Sequence, residues 1–262
     1  MTNLSDNPLR LAGRIRGFLL LTIVSLRRAL RSRQTAVCAL LLAFAALAVV
    51  AWSLRHDRDA QEFADDIIFP LYVSFLLPIF SLCYAAPSIA GEHEDQTLVY
   101  LLATPLPRPV IFTAKYGSAL AAAMLWNFGA WAALSWLAGP AGRILFQPFV
   151  PAVFWPTLVY VGLFCAFSAG LRRATIVGLV YVFFLETFLG NVPGIIKRAA
   201  ISFYTQCLML DAGTDLGIRP TGVRDPVLFL PLTGDTARMV LATLAVAMFL
   251  AGAWLFSRRE YV

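Results

Sequence analysis

Apolar residues run for about twenty positions at a time along this chain, and the charged residues gather between the runs rather than inside them. The first stretch is 35–54, held between Arg33 and Arg55, and others follow at 67–89, 110–137, 150–171, 174–190 and 236–256. A helix rises about 1.5 Å per residue, so about 20 apolar residues cross a hydrocarbon core, and the pattern predicts six transmembrane helices. The second is preceded by an acidic loop, Asp57 to Asp66, and contains or borders Pro70, Pro78 and Pro87, where kinks are expected if neighbouring helices take up the freed carbonyls. Gly139, Pro140, Gly142 and Pro148 punctuate a loop between the third and fourth spans. The longest polar connection is 191–235; its apolar part, 199–210, is too short to cross and reads as one or two short interfacial or re-entrant helices. Ahead of the first span, Leu19, Ile23, Leu26 and Leu30 recur at helical spacing with Arg27, Arg28 and Arg31 on the other face. This predicts an amphipathic helix lying in the membrane interface within a basic segment, 1–34, ahead of a transmembrane domain over 35–262.

The composition agrees, with 262 residues of which 60% are hydrophobic and 14% charged. A soluble domain is nearer half apolar and a quarter charged, so an ordinary globular enzyme, a disordered tail and a nucleic-acid-binding arm are excluded. The net charge of +6 therefore bears on orientation. In a six-span arrangement with the N-terminus inside, thirteen basic residues fall on the cytoplasmic side and eight outside, and nine of the fifteen acids fall outside. Both termini are expected in the cytoplasm. Cys38, Cys83 and Cys165 sit in apolar runs, where the thiol packs as a small hydrophobe, and Cys207 has no neighbour at metal-ligand spacing. Arginines interrupt the N-terminus too often for a signal peptide. Trp126, Trp131, Trp136, Trp155 and Trp254 fall mostly near span ends, where indoles form interfacial belts.

Between the second and third spans the chain reads Ser88-Ile89-Ala90-Gly91-Glu92-His93-Glu94-Asp95-Gln96-Thr97-Leu98-Val99-Tyr100-Leu101-Leu102-Ala103-Thr104-Pro105. Acids open it, Leu98, Leu101 and Leu102 form an apolar stripe, and Pro105, Pro107 and Pro109 end it, which predicts a short amphipathic helix over about 91–104 with a face suited to a partner. This segment resembles the cytoplasmic signature of the type-2 ABC exporter permeases: Glu92, a turn position where Gln96 replaces the family's Gly, Thr97, Leu98, Leu101, Leu102, Pro105, Arg108 and Lys115. The spans, the basic helix before them, the outer segment before the last and the Arg258-Arg259-Glu260 ending are also similar to that family, over nearly the whole chain.

The resemblance implies a coupling helix, with Glu92, Glu94, Thr97, Leu98, Leu101, Leu102 and Pro105 in contact with a separate ABC ATP-binding subunit. It implies a homodimer or a heterodimer with a related permease in the cell membrane of a prokaryote, surrounded by lipid. The chain has no G-x-x-x-x-G-K-[ST] loop, so ATP and Mg are expected on the partner, with no cofactor, metal or catalytic residue here. A scaffold or assembly protein and a lipid-modifying membrane enzyme are the competing readings; the enzyme needs polar groups converging at one depth, which the spacing does not place together.

Two further residues stand out. Glu186 lies in an apolar run, and a carboxylate in hydrocarbon costs several kcal/mol unless protonated, paired or wetted. Lys197 or Arg198 is its expected partner, with a role in the substrate path or in proton handling as the alternative. His93, between Glu92 and Glu94, is expected to be a solvated position at a helix start, because His56 falls on the opposite side. The transported substrate is not legible.

Overall fold

The computed structural model describes residues 8–54, 59–94, 107–171, 173–189, 198–216 and 232–258. Among them every regular element is a helix. In chain order, α1 is Pro8–Leu30 and α2 Arg33–Ser53; α3 (Ala60–Phe63) runs through a π segment (Ala64–Leu76) into α4 (Leu77–Glu94). Then come α5 (Arg108–Leu137), α6 (Pro140–Phe146) and α7 (Val150–Gly170). Finally α8 (Ala174–Val180) continues as a second π segment (Tyr181–Leu189), followed by α9 (Ile201–Asp215) and α10 (Gly234–Arg258).

Among the described residues five helices are long and apolar enough to cross a membrane: Arg33–Ser53, Ala60–Gly91, Arg108–Leu137, Val150–Gly170 and Gly234–Arg258. The expected fifth span is shorter, with its apolar helix at Ala174–Glu186. The expected acidic loop is also helical at its end, since Glu62, Asp65 and Asp66 lie within the helix that becomes the second span. Acids in the first turns of a helix complement its dipole, so starting the helix there costs little. The wide π turns around Pro70 have a local cause. Proline lacks an N–H and its ring crowds the carbonyl four residues back, which a wider helix relieves. Ser74 Oγ donates to the Phe69 carbonyl at 2.9 Å, supplying a donor in this wide stretch.

α7 forms the centre and is buried nearly all round, whereas α2 and α10 each bury one stripe. On α2 the stripe is Cys38, Ala45, Val49 and Trp52, while Val37, Leu40, Phe44 and Leu47 face outward as a lipid-facing surface does. Small residues let α10 close on α7: a Cβ on Gly252 would meet Phe112 Cζ at 2.6 Å and Ala166 Cα at 3.3 Å, and one on Gly162 would meet Met248 Cβ at 3.1 Å. These pairings make α7 and α10 parallel. The chain between them must run back along the bundle, and α8 with its π segment does so, Tyr181 packing edge-on against Phe164 and Phe167 and Phe183 against Phe75.

The bundle therefore has two unlike ends. At one, Thr35 Oγ1 and Tyr84 Oη lie 3.1 Å apart, Ser168 Oγ donates to the Ala86 carbonyl at 2.7 Å, and Arg108 Nη1 donates to the Ser257 carbonyl at 3.2 Å. Arg33, Arg108, Lys115 and Arg258 belong to this basic end. At the other end Trp52 packs on Phe63 and Gly234 opens α10 beneath the Asp211 side chain. The Gly139–Pro148 loop folds as α6, entered through Gly139 at φ 72, a left-handed value that suits glycine.

Candidate functional site

The connection between α4 and α5 carries the sequence signature. α4 continues as helix through Glu94, so the backbone of Glu92, His93 and Glu94 extends the second span instead of opening a new helix. Thr97, Leu98, Leu101, Leu102 and Pro105 lie outside the described residues, as do the side chains of Glu92, His93 and Glu94. The two cations that follow in the signature are well placed. Arg108 ties the start of α5 to the end of α10, and Lys115, only 5% exposed, donates from Nζ to Ser25 Oγ of α1 at 2.9 Å. Burying an ammonium needs such partners, so this bond fastens α1 to the bundle. It also changes the expectation for α1. Leu26, Ala29 and Leu30 pack inward, while the outward face is apolar at Leu19, Leu20, Ile23 and Val24 and basic at Arg27, Arg28 and Arg31.

Deeper in the bundle, Asn127 of α5 joins three helices. Its Nδ2 donates to Ser81 Oγ of α4 at 3.2 Å and to Thr157 Oγ1 of α7 at 3.1 Å, and its backbone carbonyl accepts from Tyr72 Oη at 2.8 Å. Sequence reasoning passed over this residue; the available signal was a lone amide inside an apolar span, a polar group that must find partners there.

Glu186 is 2% exposed in the second π segment. Oε1 accepts from Tyr181 Oη at 3.0 Å and from the Ile201 N–H at 3.1 Å, and Oε2 accepts from the Ser202 N–H at 2.9 Å. Ile201 and Ser202 begin α9, whose capping position, Ala200, has no side chain able to accept a hydrogen bond from these N–H groups. The carboxylate thus caps a helix from the preceding segment, combining charge-assisted hydrogen bonds with the positive end of a helix dipole. The expected ion pair with Arg198 does not form; Arg198 instead offers its carbonyl to Tyr204 Oη at 2.9 Å. Lys197 lies outside the described residues.

The tryptophans divide. Trp136 and Trp254 are exposed near the C-terminal ends of α5 and α10, at opposite ends of the bundle, and each carries an arginine over its ring, Arg143 at 4.8 Å and Arg258 at 4.5 Å, as interfacial indoles do. Trp131 is instead core, donating from Nε1 to the Phe146 carbonyl at 3.1 Å and stacking on Phe146 and Phe149. Among the described residues no three His, Cys, Asp or Glu side chains converge as a metal site would require.

Two family profiles match the sequence. One, described as ABC-2 family transporter protein, covers residues 26–203, from the end of α1 into α9. The other, described as LPXTG cell wall anchor motif, covers residues 230–260, where Leu230-Pro231-Leu232-Thr233-Gly234 precede the last apolar helix and its basic end. In the fold Gly234 is buried against Asp211, and the helix that it opens packs along α7 as part of the bundle. No curated protein matches the chain. The ABC-2 profile takes in most of the chain and all but the last of the long apolar helices, and the chain belongs to that family: it is a multi-pass membrane permease of an ABC transporter.

Proposed function

We propose that this permease is one half of an ATP-driven exporter, and that a separate ATP-binding subunit docks on the connection from Glu92 to Pro105. The observation that carries the reading is how the flanks of that connection are held. α4 enters it from a turn bonded to α7 through Ser168, and α5 leaves it bonded to α10 through Arg108 and to α1 through Lys115. A displacement of the connection therefore reaches, through α4 and α5, three further helices at once, which is what a coupling element needs.

In this reading α8 and its π segment complete a sixth crossing, supported by the parallel run of α7 and α10. The basic end faces the cytoplasm under the positive-inside rule, so both termini are cytoplasmic. ATP and Mg belong to the partner subunit, and a second permease, identical or related, completes the path. The exported substrate class is set by surfaces that this second copy helps to form.

The test is co-purification of the full-length permease with its ATP-binding subunit in neutral detergent, with ATP hydrolysis measured on the complex. Changing Leu98, Leu101 and Leu102 together to Ser should release the ATPase while the permease stays in the membrane. Burying each Leu is worth about 1.5–3 kcal/mol before association costs, so the loss should exceed about a hundredfold in affinity. Full retention of the ATPase would overturn the docking assignment.

A further inference from the structure

Two of the cysteines meet where α2 crosses α4. Thr35 Oγ1 of α2 gives its proton to the Ala29 carbonyl at 3.1 Å, which leaves Tyr84 Oη of α4 as the donor in the Thr35–Tyr84 bond, also 3.1 Å. That bond fixes the crossing. Cys38 follows Thr35 by three residues and so lies on the same face of α2, and Cys83 stands next to Tyr84 on α4. Their thiols interact directly, and the Tyr84 hydroxyl reaches the Cys38 thiol as well. Cys38 is fully buried and Cys83 half-buried, so the pair has an inner and an outer member.

Packing accounts for a single thiol in an apolar bundle, because it behaves as a small hydrophobe. Two thiols brought face to face from different helices add a chemical capability. Soft cations select sulfur over oxygen, and the softest monovalent ones, copper(I) and silver(I), accept two sulfurs in line. Zinc takes four ligands, and magnesium and calcium take six or more oxygens. Among the described residues no set of three His, Cys, Asp or Glu side chains converges, so the pair suits an ion that needs two ligands. The charge balance also fits an apolar interior. Exchanging one thiol proton for a monovalent ion, with the second sulfur binding through a lone pair as a thiol, leaves the site neutral. The Tyr84 hydroxyl can turn from Thr35 to the Cys38 sulfur once that sulfur is a thiolate.

We propose that Cys38 and Cys83 form a two-coordinate site for a monovalent thiophilic ion of the copper(I) and silver(I) class, entered from Cys83, which braces α2 against α4. The assignment rests on neither the direction of transport nor the docking of the ATPase. Full-length permease in neutral detergent, reduced and then freed of reductant, is loaded with silver(I), which binds thiols without oxidising them. It is then challenged with excess glutathione, a monothiol, and silver per chain is read by native mass spectrometry.

Wild type should keep one silver per chain, and Cys38→Ala and Cys83→Ala should each lower that retention about tenfold or more, since one sulfur has no advantage over the competing monothiol. Cys165→Ala and Cys207→Ala should retain silver as wild type does. Silver should raise the melting temperature of wild type and of neither pair variant. Alkylating wild type at the half-buried Cys83 with N-ethylmaleimide should abolish retention, and this decides the matter if an alanine variant does not fold. Loss of silver from wild type to glutathione as readily as from Cys83→Ala overturns the proposal, as does retention that survives Cys38→Ala or the alkylation. Zinc(II) held as firmly as silver(I) overturns the two-coordinate assignment.

Discussion

Replacing Glu186 by Gln preserves the shape of the side chain and removes its charge, and the geometry gives that change a definite cost. The carboxylate offers two acceptor oxygens to three donors: Tyr181 Oη, Ile201 N–H and Ser202 N–H. The amide of Gln offers one acceptor oxygen. Whichever way it is turned, its nitrogen faces one of the two backbone N–H groups, donor against donor, at a site 2% exposed where water does not compensate. An orphaned buried donor costs about 1–3 kcal/mol, and losing the charge from the helix N-terminus adds about 0.3–2 kcal/mol. Together about 1–5 kcal/mol is at stake, which at roughly 2–4 °C per kcal/mol lowers the melting temperature by roughly 3–20 °C. The assay is thermal unfolding of the purified permease in detergent, followed by fluorescence-detected size exclusion. Neutralising Arg198 in the same chain should not restore the loss, because Arg198 is not the partner. A Glu186→Gln protein as stable as wild type, or one rescued by Arg198→Gln, would refute the capping role.

Three further outcomes follow from the structure. Single cysteines at Asp59 and Thr214, both exposed, should react with an impermeant thiol reagent on intact cells while one at His93 should not; native Cys207 should stay silent, being buried in a setting that pushes its thiol above the ordinary range. Gly252→Leu should drive α10 away from α5 and α7, since even a Cβ there collides with Phe112 of α5 and crowds Ala166 of α7, and overpacking of this kind costs about 1–3 kcal/mol, read as a lower melting temperature and lower folded yield. Asn127→Ala removes the bridge to Ser81 and Thr157 and should cost about 1–2 kcal/mol, with Asn127→Asp failing to restore the wild-type melting temperature because it lacks the amide donors.

The length of each apolar run is a local property of the chain, and length against bilayer thickness is what makes a span, so the sequence by itself determined the helical membrane class, the positions of the five long helices and the basic segment before them. It also placed a signature between α4 and α5, because prolines and an acidic start are read in order along the chain. What it left open depends on groups far apart in that order. Glu186 was legible as a buried acid, but its donors are two backbone N–H groups, and every residue except proline carries one, so nothing in the sequence marks which pair will be brought to it. Basic side chains nearby drew the expectation of an ion pair, and the fold used the open start of α9 instead. Lys115 and Asn127 became interior bridges only when α1, α4 and α7 closed around α5. The run 174–190 reads as a span in the sequence, whereas its apolar helix, Ala174–Glu186, is shorter than the other five; its place beside α7 arises only from contacts such as those of Tyr181 with Phe164 and Phe167. Hydrophobicity along a segment is summed residue by residue, whereas partners, directions and cavities arise from which segments meet.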